Sequence, residues 1–370
     1  MQADPESTTE AEWRLIFALP NLRLRETFDF GDLAIVPGND PRVETILAKN
    51  EAARSLVEGF EYSLGKGAQN RPSTMIFRAE NPFKDLWAAL VEARNCVAVA
   101  CSCFGWIRSI GCLNCFSYRA TDHFDFFPCW PSNDGTHLTY QGPARNSYSS
   151  NLAGFRGFTH PYLSVNTLTR ADCDATLLNL LAKSWRRVHV TGDAERSDRQ
   201  LMRAIAVAYE ACRVPQTMDN PTYDHGKHCA FWVSGLETLA APETGRVKVH
   251  HVTNLLARRH LVADELEYDA TGETRHLSPD ILKQLYSKLY SLRGEFLHGN
   301  PITEAFLIPP FLGSGIRLLD TAPLVFHAAL EAYTWGLDGR EKCNPWNGLE
   351  GALVRAHWSE ENELKSRGEL

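Results

Sequence analysis

The sequence lacks an excess of positive charge, a long apolar run and a basic leader at its start. Its 370 residues carry 38 Lys and Arg against 45 Asp and Glu, giving a net charge of −7. Bulk charge therefore predicts no nucleic-acid binding, and any such contact needs a local basic patch. The longest apolar run, residues 96–107, is too short to span a bilayer. The opening stretch MQADPESTTEAEW is polar and acidic, so we expect no signal peptide, no membrane contact and a cytoplasmic location.

Several catalytic signatures are also missing. The sequence has no phosphate-binding glycine-rich loop, no nucleophile elbow and no dinucleotide-binding fingerprint. It has no internal repeat and no low-complexity segment. Its ten cysteines are irregularly spaced, and in a cytoplasmic chain they indicate reduced thiols rather than a disulfide framework.

The first half of the chain shows mixed patterns. A length of 370 residues with 44% hydrophobic residues favours two domains with sizeable cores. Short apolar runs predict strands at 14–22, 33–36 and 74–78, and helical spacing predicts helices at 41–60 and from 83 to about 100. The aromatic stretch 116–165, rich in Pro, Gly, Asn and Ser, favours strands and loops. We expect residues 1–190 to form a mixed α/β domain whose ligand the sequence does not reveal.

The second half is helical in pattern. Apolar residues recur at helical spacing in five segments, 198–212, 229–239, 247–261, 279–297 and 320–335. The segment 229–239 is apolar nearly all round, which predicts a central helix. The fold is therefore expected to be α+β, with an all-α bundle at 195–340 and an amphipathic helix and charged tail at 341–370.

The stretch LYSLRGEFLHGN carries an arginine and a histidine five positions apart near the end of a predicted helix. Arg293 follows an apolar stripe, and Gly299 supplies the usual residue just past a helix end. His298 then lies in the last turn, where the helix dipole favours its protonated form. The spacing alone is weak evidence, because roughly one Arg-x4-His match is expected by chance. A second match, Arg246 with His251, lies at a helix start, where the dipole is unfavourable to a cation.

The two side chains of this pair suit phosphate chemistry. Arginine holds a phosphate through a bidentate fork, and histidine moves protons near neutral pH. On a helix they stand about 7–8 Å apart along the axis and about 140° apart round it, so they can flank a groove without pairing. The structural alternative is that Arg293 pairs with Asp280 or Glu295 while His298 caps the last carbonyls.

The C-terminal half resembles the HEPN superfamily, and most closely its Apea-like branch. Five segments occur in that family's order over about residues 195–340: RQLMRAIAVAYEACRVP, CAFWVSGLETLAAP, VKVHHVTNLLARRHLV, LYSLRGEFLHGN and APLVFHAALEAYTWGL. The resemblance implies a homodimeric, metal-independent endoribonuclease that needs no cofactor, in anti-phage defence or a toxin system. Arg293 and His298 would be its catalytic residues, and its products would be a 2′,3′-cyclic phosphate and a 5′-hydroxyl.

One position differs from the family pattern. Many active members have a polar residue directly after the arginine, whereas this sequence has Gly294. The alternative is therefore a non-catalytic HEPN module that dimerises or binds nucleotide or RNA. Arg258, Arg259 and Lys288 are candidates for further phosphate contacts, with a solvated helix face as the alternative.

Two cysteine and histidine groups have spacings that could bind metal. Cys101, Cys103, Cys112 and Cys115 could supply four thiolates to zinc in a regulatory protein, although buried cysteines are often simply small apolar residues. The run Asp224, His225, His228 and Cys229 could bind a metal, but Asp224 is the expected cap of the helix that follows. Asp122, His123 and Asp125 lie in a strand-like run whose alternation explains them.

Overall fold

A computed structural model describes most of the chain. The described residues are 12–62, 71–80, 82–109, 121–142, 145–150, 152–159, 168–213, 221–258, 281–302, 307 and 317–338. They form two compact units, one made of residues up to 94 with 122–170, and one made of 95–121 with the chain from 171 onwards.

A four-stranded antiparallel sheet organises the first unit. Its strands are β1 (Trp13–Leu19), β2 (Phe28–Asp29), β3 (Leu33–Val36) and β5 (Ser73–Arg78), in the order β1-β5-β3-β2. The strands predicted at 33–36 and 74–78 are confirmed, and the first predicted strand ends at Leu19 rather than Leu22. All four residues of β3 are buried, which fits the unbroken apolar run at this position.

Two helices pack beside this sheet where the sequence predicted one. α1 (Pro41–Lys49) and α2 (Glu51–Glu58) are separated by Asn50, whose backbone is extended. The Asn50 side chain accepts a hydrogen bond from Ala53 N at 2.7 Å. A residue that caps a new helix cannot continue the previous one, so the pattern of 41–60 is interrupted.

Short strands complete the first unit. A three-stranded antiparallel sheet contains β6 (Cys129–Pro131), β7 (Leu138–Gly142) and β8 (Arg145–Ser149), and β4 (Phe60–Tyr62) pairs in parallel with β9 (Gly157–Thr159). Within the described part of 116–165, these strands agree with the prediction of strands and loops. The segment around Asp122 and His123, however, is a 3₁₀ turn, Asp122–Phe124, and not a strand.

A long apolar helix, α3 (Leu86–Ser109), is divided between the two units. It runs nine residues beyond the predicted end because the cysteines, serine and alanines after residue 97 are buried helix residues. Its segment Leu86–Trp106 is long and apolar enough to cross a membrane, but 72% of that window is buried in the protein. Such burial is expected of a core helix rather than of a lipid-facing one.

The second unit is a helical bundle. Its helices are α4 (Ala175–Arg186), α5 (Arg196–Arg213), α6 (Pro221–Leu239), α7 (Val249–Arg258), α8 (Ile281–His298) and α9 (Ala322–Asp338). The predicted boundary at residue 190 differs from this division, because α4 buries Leu177, Leu181 and Trp185 within the bundle unit. The expected helix and tail beyond 341 lie outside the described residues.

Helix α6 begins eight residues earlier than its apolar pattern indicated. Asp224 therefore lies inside the helix and does not cap its start. Gly226 lets this early part of α6 approach α8 closely, because a Cβ at this position would lie 2.8 Å from a ring carbon of Phe296.

Candidate functional site

Helix α8 carries the predicted arginine and histidine. One side of it is buried through Leu282, Leu285, Tyr286, Leu289 and Leu292. It ends as the sequence predicted, with Gly299 in the left-handed region at φ 71°. Asn300 N donates to Glu295 O at 3.0 Å and satisfies a terminal carbonyl. His298 is consequently exposed in the last turn, next to the carboxyl end of the helix dipole.

Arg293 is held by helix α6. Its Nη1 donates to Glu237 Oε2 at 2.8 Å, and its Cζ lies 4.7 Å from the centre of the Tyr290 ring. The pairing with Asp280 or Glu295 considered above is not the one observed, since Glu295 accepts from Asn300 Nδ2 and Asp280 lies outside the described residues. A guanidinium has five N–H donors, and Arg293 Nε is buried with no hydrogen-bond partner among the described residues.

Two neutral groups line the buried side of this ion pair. Burial raises the pKa of the Cys229 thiol to about 12, against the opposing effect of Arg293, and Cys229 Sγ donates to Leu289 O at 3.2 Å. Burial also raises the pKa of Tyr286 well above its ordinary value, with a further contribution from Glu237. Both groups are uncharged near neutral pH, so the charge at this position comes from Arg293 and Glu237.

A basic groove adjoins the ion pair. Its volume is about 450 Å³, and Ser234, Glu237 and Thr238 of α6 form one wall. The other wall consists of three exposed arginines of α5, at positions i, i+3 and i+7: Arg196, Arg199 and Arg203. This set is hereafter the arginine ladder. Where the chain is described, none of the three pairs with a carboxylate; Arg196 and Arg199 donate to the backbone carbonyls of Pro242 and Ala194. The sequence analysis missed the ladder, although its helical spacing is readable in RSDRQLMR.

Arg293 and His298 face different sides of α8 within one copy of the chain. Their spacing turns the helix by about 140° and advances it by about 7.5 Å. Leu297, which is 68% exposed, lies between them round the helix. Lys288 is exposed and also about 140° from Arg293. Arg258 is exposed at the end of α7, and Arg259 lies outside the described residues.

The cysteines proposed for zinc are not brought to one side of α3. Cys101 and Cys103 are both buried, and a two-residue step turns a helix by about 200°. Burial and contact with Cys173 raise the pKa of Cys101. Cys103 instead contacts Cys212, and burial and this contact raise the pKa of Cys212. Cys112 and Cys115 lie outside the described residues.

A buried group of Asp174, His327 and Glu331 joins α4 to α9. His327 is fully buried; its Nε2 lies 3.2 Å from Asp174 Oδ2 and its Nδ1 lies 3.8 Å from Glu331 Oε2. These side chains are close enough to hold a metal ion, but each ring nitrogen faces a different carboxylate. An imidazole ring that bridges two carboxylates fits this arrangement better than a chelate, in which one nitrogen would share the ion with both oxygens.

The electrostatics of Asp174 support that reading. Burial raises the pKa of this carboxyl. The hydrogen bond and charge of His327, together with backbone N–H groups at the start of α4, lower this pKa by more than burial raises it. The pKa of Asp174 therefore lies below its ordinary value. One of these groups is Leu177 N, which donates to Asp174 Oδ1 at 2.9 Å. The sequence analysis missed this group, because Asp174 lies far along the chain from His327 and Glu331, which are one turn apart on α9.

The remaining metal candidates form no group of three close ligand atoms within the described part of the chain. His225 and His228 are half-buried within α6, and the side chain of Asp224 is outside the described set. Asp125 lies 3.8 Å from Arg94 Nη1 in an ion pair. Comparison of the chain with family models, with curated proteins and with solved structures finds no match.

Proposed function

We propose that the bundle unit cleaves single-stranded RNA without a metal ion, in the manner of HEPN endoribonucleases. The observation that carries the proposal is the arginine ladder beside the Arg293–Glu237 pair. The chain as a whole is acidic, so a groove with three exposed arginines is the local basic patch that RNA binding requires. Guanidinium groups suit the phosphates of a flexible strand because they bind oxygen pairs in a fixed fork.

Arg293 would stabilise the reacting phosphate. Glu237 and the Tyr290 ring orient its guanidinium, and orientation in advance is what makes a cation effective toward a charge that develops in the transition state. The ribose 2′-oxygen would attack the adjacent phosphorus and the bond from phosphorus to the 5′-oxygen would break. A single imidazole would take the proton from the 2′-hydroxyl and then give it to the leaving 5′-oxygen. The products are a 2′,3′-cyclic phosphate and a 5′-hydroxyl.

Two copies of the chain would build each site. Arg293 and His298 of one copy face different sides of α8, so they do not converge on one phosphate. A second copy packed against α8 would bring its own His298 towards Arg293. The exposed side chain of Leu297 between the two positions supports a contact here, since large apolar side chains at 68% exposure gain free energy when covered.

A non-catalytic RNA-binding module is the second candidate. Glu237 partly neutralises Arg293, and Gly294 offers no side chain to orient a substrate. Both features are compatible with a groove that holds RNA and does not cut it. Cleavage chemistry therefore has to be measured separately from binding.

The decisive experiment uses the two Arg-x4-His pairs as matched variants. The purified chain is incubated with a mixed RNA pool in excess EDTA beside Arg293→Ala, His298→Ala, Arg246→Ala and His251→Ala. Arg246 is exposed, and His251 accepts from Lys248 N at 3.1 Å at the start of α7, so this pair has a structural explanation. We expect the parent and the two α7 variants to cut, leaving cyclic-phosphate ends, and the two α8 variants to be inactive.

Two results would contradict the proposal. Cleavage by Arg293→Ala or His298→Ala at the parent's rate would reject the site. RNA binding by the parent with no cleavage would favour the non-catalytic module. Circular dichroism of each variant excludes unfolding as the cause of a loss.

A further inference from the structure

A cationic pocket lies in the first unit, apart from the groove of the bundle. Its volume is about 620 Å³, and it lies between the start of β1, helix α1, the end of β5 and the end of β6. This volume is in the range of pockets that bind small molecules. Its buried wall includes Leu15, Ile46 and Pro131, and its rim includes the polar residues Ser132 and Asn133.

Four basic side chains line the pocket against one acidic one. Arg14, Arg42, Lys49 and Arg78 come from three different elements, and Glu12 is the acidic residue. Arg14 and Lys49 are exposed, and no carboxylate in the described part of the chain pairs with them. In a chain of net charge −7, this convergence of positive charge is local and specific to the pocket.

Two of the guanidinium groups are held in place by an indole ring. The Cζ atoms of Arg42 and Arg78 lie 5.1 Å and 5.4 Å from the centre of the Trp13 ring, within the range of cation–π contacts. Asp40 fixes Arg42 further, through Nε and Nη2 at 2.9 and 3.0 Å. Because aromatic and acidic contacts set their positions in advance, these cations lose little side-chain entropy when an anion binds.

Arg78 is only weakly neutralised. Its Nε lies 3.7 Å from Asp32 Oδ1, beyond hydrogen-bonding distance, and has no hydrogen-bond partner among the described residues. Trp13 and Arg78 are direct partners in the β1–β5 ladder, so the backbone fixes this cation beside the ring. A pocket that keeps such a charge without a full counter-ion suits a ligand that supplies one.

We propose that this pocket binds a phosphate-bearing small molecule of nucleotide size. Because Asp40 neutralises Arg42 and Glu12 opposes a second cation, about two positive charges remain for a ligand with two negative charges. Guanidinium groups match phosphate oxygens in pairs. The apolar wall and the polar rim leave room for an uncharged part beyond the phosphates. The pocket uses side-chain cations, so the lack of a glycine-rich loop does not argue against it. The proposal is independent of RNA cleavage by the bundle.

The test is isothermal titration calorimetry on the full chain at low salt. The probes are ADP, inorganic pyrophosphate, adenosine and citrate. The diagnostic variant is Arg14→Ala with Lys49→Ala, since both side chains are exposed. The matched control is Arg25→Ala with Lys84→Ala, which removes the same charge from exposed positions of the same unit outside the pocket.

We expect ADP to bind more tightly than pyrophosphate, and adenosine and citrate to bind weakly or not at all. The diagnostic variant should lose at least about tenfold in affinity for ADP, equivalent to about 1.4 kcal/mol, and the control variant should bind as the parent does. The proposal is overturned if neither phosphate compound binds at millimolar concentration, if the diagnostic variant binds ADP as tightly as the control, or if citrate matches pyrophosphate. If pyrophosphate bound as tightly as ADP, the proposal that the ligand is of nucleotide size would be rejected.

Discussion

Replacement of His327 by leucine should destabilise the bundle unit severely. The imidazole lies between Asp174 and Glu331, whose side chains are only 9% and 4% exposed. An apolar residue would leave two buried carboxylates without the imidazole that faces both of them. Breaking a buried ion pair by removal of one partner costs about 3–5 kcal/mol, a large part of the roughly 5–15 kcal/mol that stabilises a typical domain.

The measurement is urea unfolding of the full chain, followed by circular dichroism, with His250→Leu as the control. His250 is exposed on α7, and surface substitutions usually change stability by less than about 0.5 kcal/mol. The two variants are compared at equal m-values, so that a shift in midpoint reports stability. A loss below about 1 kcal/mol for His327→Leu would refute the reading of this group as a charged bridge.

The pH dependence of the stability of Asp174→Asn tests the direction of the pKa shift at Asp174. The pKa of Asp174 is lower in the folded chain than its ordinary value of 3.8, so the folded state binds fewer protons than the unfolded state. The stability that this carboxylate contributes is complete above the unfolded pKa and is lost as the pH falls through the folded pKa. Asparagine keeps an oxygen to accept from Leu177 N, so the stability difference between parent and variant should narrow as the pH is lowered from about 6 to about 3. A difference that stays constant over this range would contradict the lowered pKa.

Four further substitutions test the groove and the helix packing. Glu237→Gln removes the negative charge from the groove and should tighten RNA binding in fluorescence anisotropy; weaker binding would mean that the carboxylate chiefly positions its arginine. Arg203→Ala should weaken RNA binding and reduce the slope of log affinity against log salt concentration by about 0.7. An unchanged slope would mean that Arg203 does not contact a phosphate. Gly226→Ala should cost about 1–3 kcal/mol because its Cβ would meet the Phe296 ring, whereas Gly294→Ala, with nothing within 4 Å, should stabilise α8 by about 0.5–1 kcal/mol. Thermal unfolding measures the stability of Gly226→Ala and of Gly294→Ala. Equal changes in stability would refute the argument that only Gly226 is closely packed.

The helices and central strands were predictable because their signals are local. The stripe of Leu285, Leu289 and Leu292 and the stop at Gly299 specify α8 within its own sequence, and the structure agrees. The error at 41–60 has a local cause in the Asn50 cap, whereas the error at the start of α6 involves contact with a distant helix. α6 begins at Pro221 and approaches α8 at Gly226, whereas its polar first residues alone predict a loop.

The candidate site was predictable only in part. Arg293 and His298 could be placed on their helix, but their surroundings could not, since Glu237 reaches Arg293 from a helix 56 positions away. The arginine ladder was readable from its i, i+3, i+7 spacing, yet only the groove between α5 and α6 shows which basic residues flank the ion pair. The i, i+4 spacing of His327 and Glu331 is readable in the sequence, but their contact with Asp174 is not, because pairing across a bundle leaves no periodicity.

The separation of Arg293 and His298 round α8 leads to a final prediction. If each site takes its arginine from one copy and its histidine from the other, Arg293→Ala and His298→Ala are each inactive alone but form one complete site when they pair. Random exchange of subunits in a two-fold dimer gives about half mixed dimers, each with one of two sites intact, so the mixture should recover about a quarter of the parent's activity. The assay is RNA cleavage after the two variants are unfolded together and refolded, with each variant refolded alone as the control. Recovery near zero, with mixed dimers present by native mass spectrometry, would mean that both residues act within one copy, and the helix geometry would then argue against His298 as the proton carrier.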